Sequence, residues 1–259
     1  MSKDGRKLLS VERERLIEEL LDNGYTGIIE LSRRIGVSEA TIRRDLLSLE
    51  EAGKIKRVHG GAVKLKNSKT EPLFKEKAAL NFKEKESIAR LALSLIEDHD
   101  TIYLDGGSTI QILAKQLSTR KNLTIVTNSL IAAVELVETE HRLIIVGGEF
   151  RRLSRSIVGS LTGKILNAVN IRKAFLGTIG FSVSKGMTTT DPNEAYTKEL
   201  VMKNSEKVFV LADNSKIGHD SFAVSGDLSN IDSLLTDRPI KDEEFIKMLN
   251  NKNVKILTP

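Results

Sequence analysis

Glycines and hydroxyl side chains stand together in segment 105–109 (DGGST), directly after the apolar run 101–104. Because this segment opens an amphipathic stretch, its backbone N–H groups, its hydroxyls and the positive end of a helix could hold a phosphate group. A glycine pair taken alone more often marks a tight turn. Segment 105–109 is therefore a candidate phosphate-binding loop whose role depends on its neighbours.

Four more polar segments follow apolar runs in the same manner, namely 127–129 (TNS), 147–152 (GGEFRR), 177–180 (GTIG) and 212–216 (ADNSK). Short apolar runs separated by amphipathic helices predict a mainly parallel α/β sheet. In such a sheet these loops leave the same carboxyl edge, where open α/β folds bind ligands. The sequence therefore predicts one site built from several strand ends.

The side chains of these loops indicate which ligand the site would take. Arg151 and Lys216 offer cations for a phosphate group, and Asp105, Asn128 and Asp213 offer partners for hydroxyls. Several polar loops at one edge favour a ligand site over a set of simple turns. The predicted ligand is a small phosphorylated polyol.

A different chemistry is predicted on a helix near the N-terminus. Stepping about 100° per residue from Ile42 places Ile42, Leu46 and Leu49 on one buried stripe. The opposite side is small, hydroxylated and cationic, with Ala40, Thr41, Arg44 and Ser48 on it and Arg43 on its flank. Hydroxyls bond phosphates or base edges, and arginine pairs bidentately with guanine, so this face suits the major groove of DNA. The same face would also suit an ordinary surface helix.

The neighbouring elements favour DNA binding. Apolar stripes within 16–21 and 28–35 predict two preceding helices, and Ser38 is a plausible N-cap of the third. After the third helix, segment 54–70 contains six Lys or Arg residues and no Asp or Glu, and it alternates like a hairpin around a glycine tip. A cationic helix followed by a basic hairpin is the layout of a winged helix-turn-helix.

Several motifs lie across both regions, namely 37–46 (VSEATIRRDL), 57–62 (RVHGGA), 105–109, 127–129, 147–149, 186–191 (GMTTTD), Glu194 with Lys198, and 212–216. In these residues both regions resemble the DeoR family of bacterial regulators. The resemblance covers nearly the whole chain and implies a DNA-reading domain followed by a sensor domain. The sensor is in turn similar to ribose-5-phosphate isomerase, which implies a sugar-phosphate effector.

The resemblance and the face pattern together name candidate site residues. The candidates for DNA binding are Ser38, Thr41, Arg43 and Arg44 on the helix and Lys54, Lys56, Arg57 and His59 in the wing. The candidates for effector binding are Asp105, Gly106, Gly107, Ser108, Thr109, Thr127, Asn128, Gly148, Arg151, Glu194, Lys198, Asp213 and Lys216. Asp45 lies in the first motif but is acidic, so we expect it to orient an arginine or close a helix contact instead of touching DNA.

Catalysis by the second region is the main alternative. An isomerase needs a positioned general base, and the related isomerases carry an acidic cluster where this chain has GTIG at 177–180. Glu194 and Lys198, four apart on a helix starting near Pro192, are expected to form a surface pair or to touch the ligand, although Glu194 could still act as a lone base. We predict a regulator that binds without turnover. An isomerase-like enzyme fused to a DNA-binding domain and a DNA-binding protein without a ligand remain open.

Composition limits the class of protein. The chain has no cysteine, which excludes disulfides and thiolate metal sites, and its four histidines are scattered, so we predict no metal and no cofactor. No apolar run approaches the ~20 residues that span a bilayer, and the polar start lacks the apolar stretch of a signal peptide. Residues 1–70 hold 15 Lys and Arg against 11 Asp and Glu, so a basic excess lies at the N-terminus. We expect a cytoplasmic protein with no membrane partner.

These observations predict an α/β protein of two domains. Residues 1–66 are expected to form the winged helix-turn-helix, 67–76 a linker, and 77–259 a larger, mainly parallel α/β sensor domain. The expected partners are double-stranded operator DNA, a phosphorylated sugar and further copies of the same chain, in a dimer or tetramer.

Overall fold

The computed structural model describes residues 9–21, 26–52, 54–58, 60–64 and 71–259, without the side chains of Lys56, Val63 and Lys64. The chain divides into two compact units, Met1–Glu71 and Pro72–Pro259. Most of the predicted linker, 67–76, lies at this division, but helix formation begins within it at Phe74. Residues 65–70 lie outside the described part, and the linker bounds stay a prediction.

The first unit alternates helices with short strands. Its described elements are α1 (Ser10–Leu21), β1 (Thr26–Gly27), α2 (Ile28–Ile35), α3 (Glu39–Glu51), β2 (Ile55–Val58) and β3 (Gly61–Lys64). Helix α2 ends because Gly36 adopts a left-handed φ of 78° and donates its N–H to the carbonyl of Ser32. Helix α3 begins after Ser38, whose side chain accepts the N–H of Thr41. The three predicted helices are confirmed.

The core of the first unit lies between its helices and its sheet. The buried apolar side chains are Ile17, Leu21, Ile28, Leu31, Ile35, Ile42, Leu46, Leu49, Ile55 and Ala62. Strands β2 and β3 pair antiparallel, with Val58 opposite Gly61, and β1 adds to the other side of β3. This sheet confirms the predicted hairpin of the wing.

The second unit is built on a parallel sheet. Its described helices are α4 (Phe74–Ala79), α5 (Phe82–Ser94), α6 (Ser108–Gln116), α7 (Leu130–Leu136), α8 (Gly163–Leu166), α9 (Pro192–Lys203) and α10 (Glu243–Asn251). Its described strands are β4 (Thr101–Leu104), β5 (Thr124–Thr127), β6 (Arg142–Ile145), β7 (Glu149–Arg151), β8 (Ser156–Val158), β9 (Ile171–Gly177), β10 (Gly180–Ser182), β11 (Gly186–Thr189), β12 (Ser205–Leu211), β13 (Ala223–Gly226), β14 (Ser233–Leu235) and β15 (Lys255–Leu257).

Seven strands form the main sheet in the order β15-β14-β12-β9-β4-β5-β6, with every neighbouring pair parallel. Five of these strands, β4, β5, β6, β9 and β12, are the apolar runs that precede the polar loops selected in the sequence. Apolar clusters cover both faces of the sheet, one around Tyr103 and Leu176 and the other around Ile102 and Phe175. All seven strands therefore end at one carboxyl edge, as predicted.

Smaller pieces lie beside that edge. Strands β7 and β8 form an antiparallel ribbon after β6, and β10, β11 and β13 form a three-stranded antiparallel sheet. Across the described ranges no helix is long and apolar enough to cross a membrane. The same residues include no group of three or more His, Asp or Glu placed to hold a metal ion.

Candidate functional site

Helix α3 presents the cationic face that the sequence predicts. Ile42, Leu46 and Leu49 are buried, whereas Ala40, Arg43, Arg44 and Ser48 are exposed. The Ser38 and Thr41 hydroxyls lie 2.9 Å apart at the N-terminal cap, and Arg43 reaches Glu39 at 3.4 Å. Among the described residues, Arg44 makes no ion pair. The face can therefore offer hydroxyls and guanidinium groups to an anion.

Asp45 is engaged on the inner side of α3. Its two carboxylate oxygens accept hydrogen bonds from Arg13 of α1, at 2.8 Å from Nε and 2.9 Å from Nη2. Both side chains are largely buried. Of the two roles expected for Asp45, the structure shows a contact between helices that also orients an arginine, and that arginine lies on α1.

Two wing cations are held by carboxylates. Lys54 Nζ lies 3.0 Å from Glu18 of α1, and Arg57 Nε lies 2.9 Å from Glu50 of α3. Exposed ion pairs of this kind contribute little free energy, so DNA phosphates can compete for these groups. The side chain of Lys56 and the whole of His59 lie outside the described residues.

A cleft of about 130 Å³ opens in the second unit at the carboxyl edge of the sheet. Seven predicted effector residues line it, namely Gly106, Gly107, Ser108, Thr109, Glu194, Asp213 and Lys216. The other lining residues are Pro72, Lys77, Leu80, Asn81, Lys85, Ile110, Ser154, Gly177, Thr178, Ile179, Leu211, Ala212 and Ser215. Most of the predicted strand-end loops therefore meet, together with the α4–α5 turn that the sequence did not reveal.

The loop after β4 has no room for a side chain at Gly106. A Cβ on Gly106 would lie 2.7 Å from the Cβ of Ser156 in the ribbon. Helix α6 begins directly after Gly107, so the free N–H groups of its first turn lie at the cleft. The Ser108 hydroxyl donates to the carbonyl of Lys77 at 3.3 Å. This geometry keeps the backbone of the loop accessible to an anion.

Lys77 and Lys85, which the sequence analysis does not select, also line the cleft. Lys85 is almost fully buried, and its ammonium group donates to the carbonyls of Lys77 and Leu80. Burial lowers the pKa of Lys85 to about 8; Asp213 opposes this effect, while Lys216 and Lys77 add to it. The sequence does indicate that Lys85 is buried, because it precedes Ile88, Ala89 and Ala92 at the spacing of the buried stripe of α5.

Asp213 joins the end of β12 to the α4–α5 turn. Its Oδ1 accepts the backbone N–H of Ser215 at 3.1 Å and the side-chain amide of Asn81 at 3.1 Å. Asn81 adopts a left-handed φ of 51° between the two helices. The cleft wall formed by this turn is thus tied to the predicted loop 212–216.

A buried ionic cluster lies behind the cleft. Lys198 binds Asp105, the carbonyl of Gly177 at 2.9 Å and Glu194 at 3.5 Å. Burial acts to lower the pKa of Lys198, but Asp105 and Glu194 outweigh it and raise the pKa. The expectation that Glu194 and Lys198 form a surface pair is wrong, because both side chains are buried.

Arg151 extends this cluster to the start of α9. Its guanidinium lies 3.2 Å from Glu194 and 3.3 Å from Asp191, and it donates to the Thr190 hydroxyl at 2.9 Å. Glu194 therefore reaches the cleft wall with both carboxylate oxygens near cations. Asp105, Lys198 and Arg151 support the cleft and are absent from its lining.

Three predicted effector residues perform structural tasks instead. The Thr127 hydroxyl donates to the carbonyl of Leu104 at 2.7 Å, and the Asn128 side chain donates to the carbonyl of Ile157 at 2.9 Å. A Cβ on Gly148 would lie 2.9 Å from the side chain of Ile157. These residues do not line the cleft. They contact the ribbon and the ends of the main-sheet strands instead.

Comparison with known proteins agrees with this architecture. The model of the DeoR-like helix-turn-helix domain matches residues 13–68, and the model of the DeoR C-terminal sensor domain matches residues 80–238. The uncharacterized HTH-type transcriptional regulator FruR of Bacillus subtilis (strain 168) is 36% identical over 253 residues, which cover 97% of this chain and 100% of that protein.

The lactose phosphotransferase system repressor of Staphylococcus epidermidis is 37% identical over 232 residues, which cover 85% of this chain and 91% of that protein. Among solved structures, ribose 5-phosphate isomerase A of Methanocaldococcus jannaschii matches with a TM-score of 0.41 and 20% identity, over 53% of this chain and 55% of that chain. That overlap is too small to carry an argument about function.

These two relatives confirm the prediction of a regulator instead of an enzyme, since one is named a transcriptional regulator and the other a repressor. The helix-turn-helix model matches residues within the first unit, and the sensor-domain model matches residues within the second unit. The chain therefore belongs to the DeoR family of DNA-binding transcriptional regulators.

Proposed function

We propose that this regulator represses a carbohydrate-metabolism operon and is controlled by a phosphorylated sugar in the cleft of the second unit. One observation carries the proposal. Lys77, Lys85 and Lys216 line the same cleft as residues 106–109 of the glycine loop, which is segment 105–109 at the start of α6. Cations beside free N–H groups at a helix start favour a phosphate. Asp213 and Glu194 add acceptors for sugar hydroxyls.

The carbohydrate assignment draws support from a relative. The Staphylococcus epidermidis protein that matches most of this chain is named for repression of the lactose phosphotransferase system. We infer a related role for this chain, in the cytoplasm and as a homo-oligomer, a dimer or tetramer. Paired winged helices would bind the two halves of a symmetric operator.

A ligand screen tests the sensing role. Phosphorylated sugars, their unphosphorylated counterparts and inorganic phosphate are each added to the full-length protein, and thermal unfolding is recorded. We expect a phosphorylated sugar to raise the melting temperature of the second unit, since a ligand that binds the native state stabilises it. Lys216→Gln should weaken that shift. The matched control is Lys252→Gln, which removes an exposed lysine after α10, outside the cleft.

Two results would contradict the proposal. If no phosphorylated sugar shifts the melting temperature, the protein binds DNA without this class of ligand. If the protein converts ribose 5-phosphate to ribulose 5-phosphate at enzymatic rates, the second unit is an isomerase.

The DNA interface is tested by fluorescence anisotropy with duplexes selected from a random library. We propose that Ser38, Thr41, Arg43 and Arg44 enter the major groove while Lys54, Lys56, Arg57 and His59 approach phosphates. Arg44→Ala should then cost about 1–3 kcal/mol of binding free energy and relax base preference. Lys56→Ala should weaken all sequences alike and flatten the salt dependence. The reverse pattern would mean that the roles of helix and wing are exchanged.

A further inference from the structure

Leu47 is a large apolar side chain on the cationic face of α3. It is 44% exposed. At about 100° per residue, Leu47 lies about 40° from Arg43 and about 60° from Arg44 around the helix axis. An apolar surface therefore lies between the two arginines that the DNA interface uses.

The packing of the first unit does not require this leucine. Ile42, Leu46 and Leu49 supply the buried stripe of α3, each no more than 1% exposed. Leu47 points about 140° away from Ile42. Leu47 is therefore exposed because it lies on the side of α3 that faces away from the core.

Ala40 continues the apolar surface toward the start of the helix. It is exposed, and it precedes Leu47 by two turns at nearly the same angle. We call Ala40 and Leu47 the apolar track. The track ends at the exposed carboxylate of Glu51, which phosphates would repel. The track therefore occupies the part of α3 that can enter a groove.

We propose that Leu47 reads a thymine by contact with its C5-methyl group in the major groove. Thymine is the base that presents a methyl group there, and apolar side chains contact it. The arginines on either side would pair with guanine or phosphate and fix the position of the helix. The proposal rests on the proposed DNA interface, in which α3 enters the major groove.

The test replaces thymine by deoxyuridine, which removes the methyl group and keeps the base pair. A duplex selected from a random library by the full-length protein serves as the probe, and each thymine of one half-site is replaced in turn. We expect one replacement to weaken binding by the wild-type protein about fourfold, the value of one buried methyl-sized group. Leu47→Ala should bind the thymine and deoxyuridine duplexes equally well.

Two controls separate this contact from other effects. Val11→Ala removes an exposed apolar side chain of α1, 76% exposed, and should keep the fourfold preference for thymine. Arg44→Ala should weaken binding to the thymine and deoxyuridine duplexes by the same factor, so it keeps the fourfold preference for the methyl group even though it relaxes base preference at its own contact. Thermal unfolding of Leu47→Ala should match the wild type, because the side chain packs little.

The proposal is overturned if no thymine replacement affects the wild type, or if Leu47→Ala still discriminates, since another group would then read the methyl. Failure of the wider DNA interface gives a different result. In that case Arg44→Ala binds the selected duplex as tightly as the wild type, whatever the thymine replacements do.

Discussion

Arg13 and Asp45 form a buried pair that links α1 to α3. Asp45→Ala deletes both charge-assisted hydrogen bonds between the two helices. We expect this substitution to lower the free energy of unfolding of the first unit by about 1.5–3 kcal/mol. Calorimetry of the full-length protein measures this, with the transition of the second unit as an internal reference.

The matched control for this change is Arg15→Ala. Arg15 pairs with Glu19 on the same helix α1, but the Arg15 side chain is 81% exposed, so its removal should leave both transitions unchanged. Equal effects of the two substitutions would contradict a special role for the buried pair.

Lys85 predicts a pH dependence of stability. Burial lowers its pKa from 10.5 to about 8, so the unfolded chain binds more protons than the folded chain between these values. The free energy of unfolding should therefore rise as pH increases through that window. From pH 7.5 to 9.5 we expect a rise of roughly 2 kcal/mol, since each unit is worth up to ~1.4 kcal/mol.

The range stops below pH 10 because burial raises the pKa of Tyr103, whose titration would act in the opposite direction. Lys85→Met should remove the rise, and Lys83→Met, an exposed lysine on the same helix, should keep it. Urea unfolding at several pH values measures the effect. A wild-type curve identical to that of Lys85→Met would show that Lys85 is not the group responsible.

At the scale of elements, the glycine loop packs directly against the ribbon formed by β7 and β8. Gly106→Ala would bring a Cβ within 2.7 Å of the Ser156 Cβ, so the ribbon must shift. We expect about 1–3 kcal/mol of destabilisation in the second unit, with weaker effector binding, since Ser154, in the turn between β7 and β8, lines the cleft. Calorimetry with and without the effector separates these two changes.

Two further variants isolate the contact. Gly147→Ala is the matched control, because its Cβ would lie 4.0 Å from Ile165, an ordinary distance. Adding Ser156→Gly to Gly106→Ala should restore stability, as expected for residues in direct contact. An unaltered melting temperature for Gly106→Ala would show that the ribbon gives way without cost.

The sequence predicts the main elements because their patterns are strong. The main-sheet strands are short apolar runs between helices, and Gly36 and Ser38 mark the end of α2 and the start of α3. The sequence does not predict the ribbon or the small sheet, since their strands are only three or four residues long, too short for an alternating pattern to be recognised.

The candidate site was predicted in part, for a related reason. Strand-end loops can be placed from the strands, which is why Gly106, Asp213 and Lys216 meet in the cleft. Charged residues on a helix are normally read as exposed, and Lys85 and Lys198 break that rule. Lys85 is held by carbonyls of α4 and of the turn just before its own helix, and Lys198 is held by Asp105 from a distant loop. Helix periodicity carries no information about either kind of partner.

At the scale of the whole molecule, the order of the elements suggests a route for coupling between the two proposed sites. Helix α4 is the first helix of the second unit. Lys77 of this helix lines the cleft, as do Leu80 and Asn81 of the turn after it. A ligand in the cleft would therefore contact the segment of chain that leads back to the DNA-binding unit. Such a ligand shifts the equilibrium between DNA-binding states only if its contacts with this segment differ between those states.

We predict that the effector and operator DNA change each other's affinity by the same factor, commonly about 5–150-fold. Titrating operator with and without effector, and effector with and without operator, measures both factors. Asn81→Gly keeps the left-handed turn but removes the links to Asp213 and Ser215, so the factor should fall toward one while effector still binds. Asn253→Gly, at another left-handed position after α10, should keep the factor. If an effector that binds the full-length protein leaves operator affinity unchanged, the two sites act independently and the turn after α4 transmits nothing.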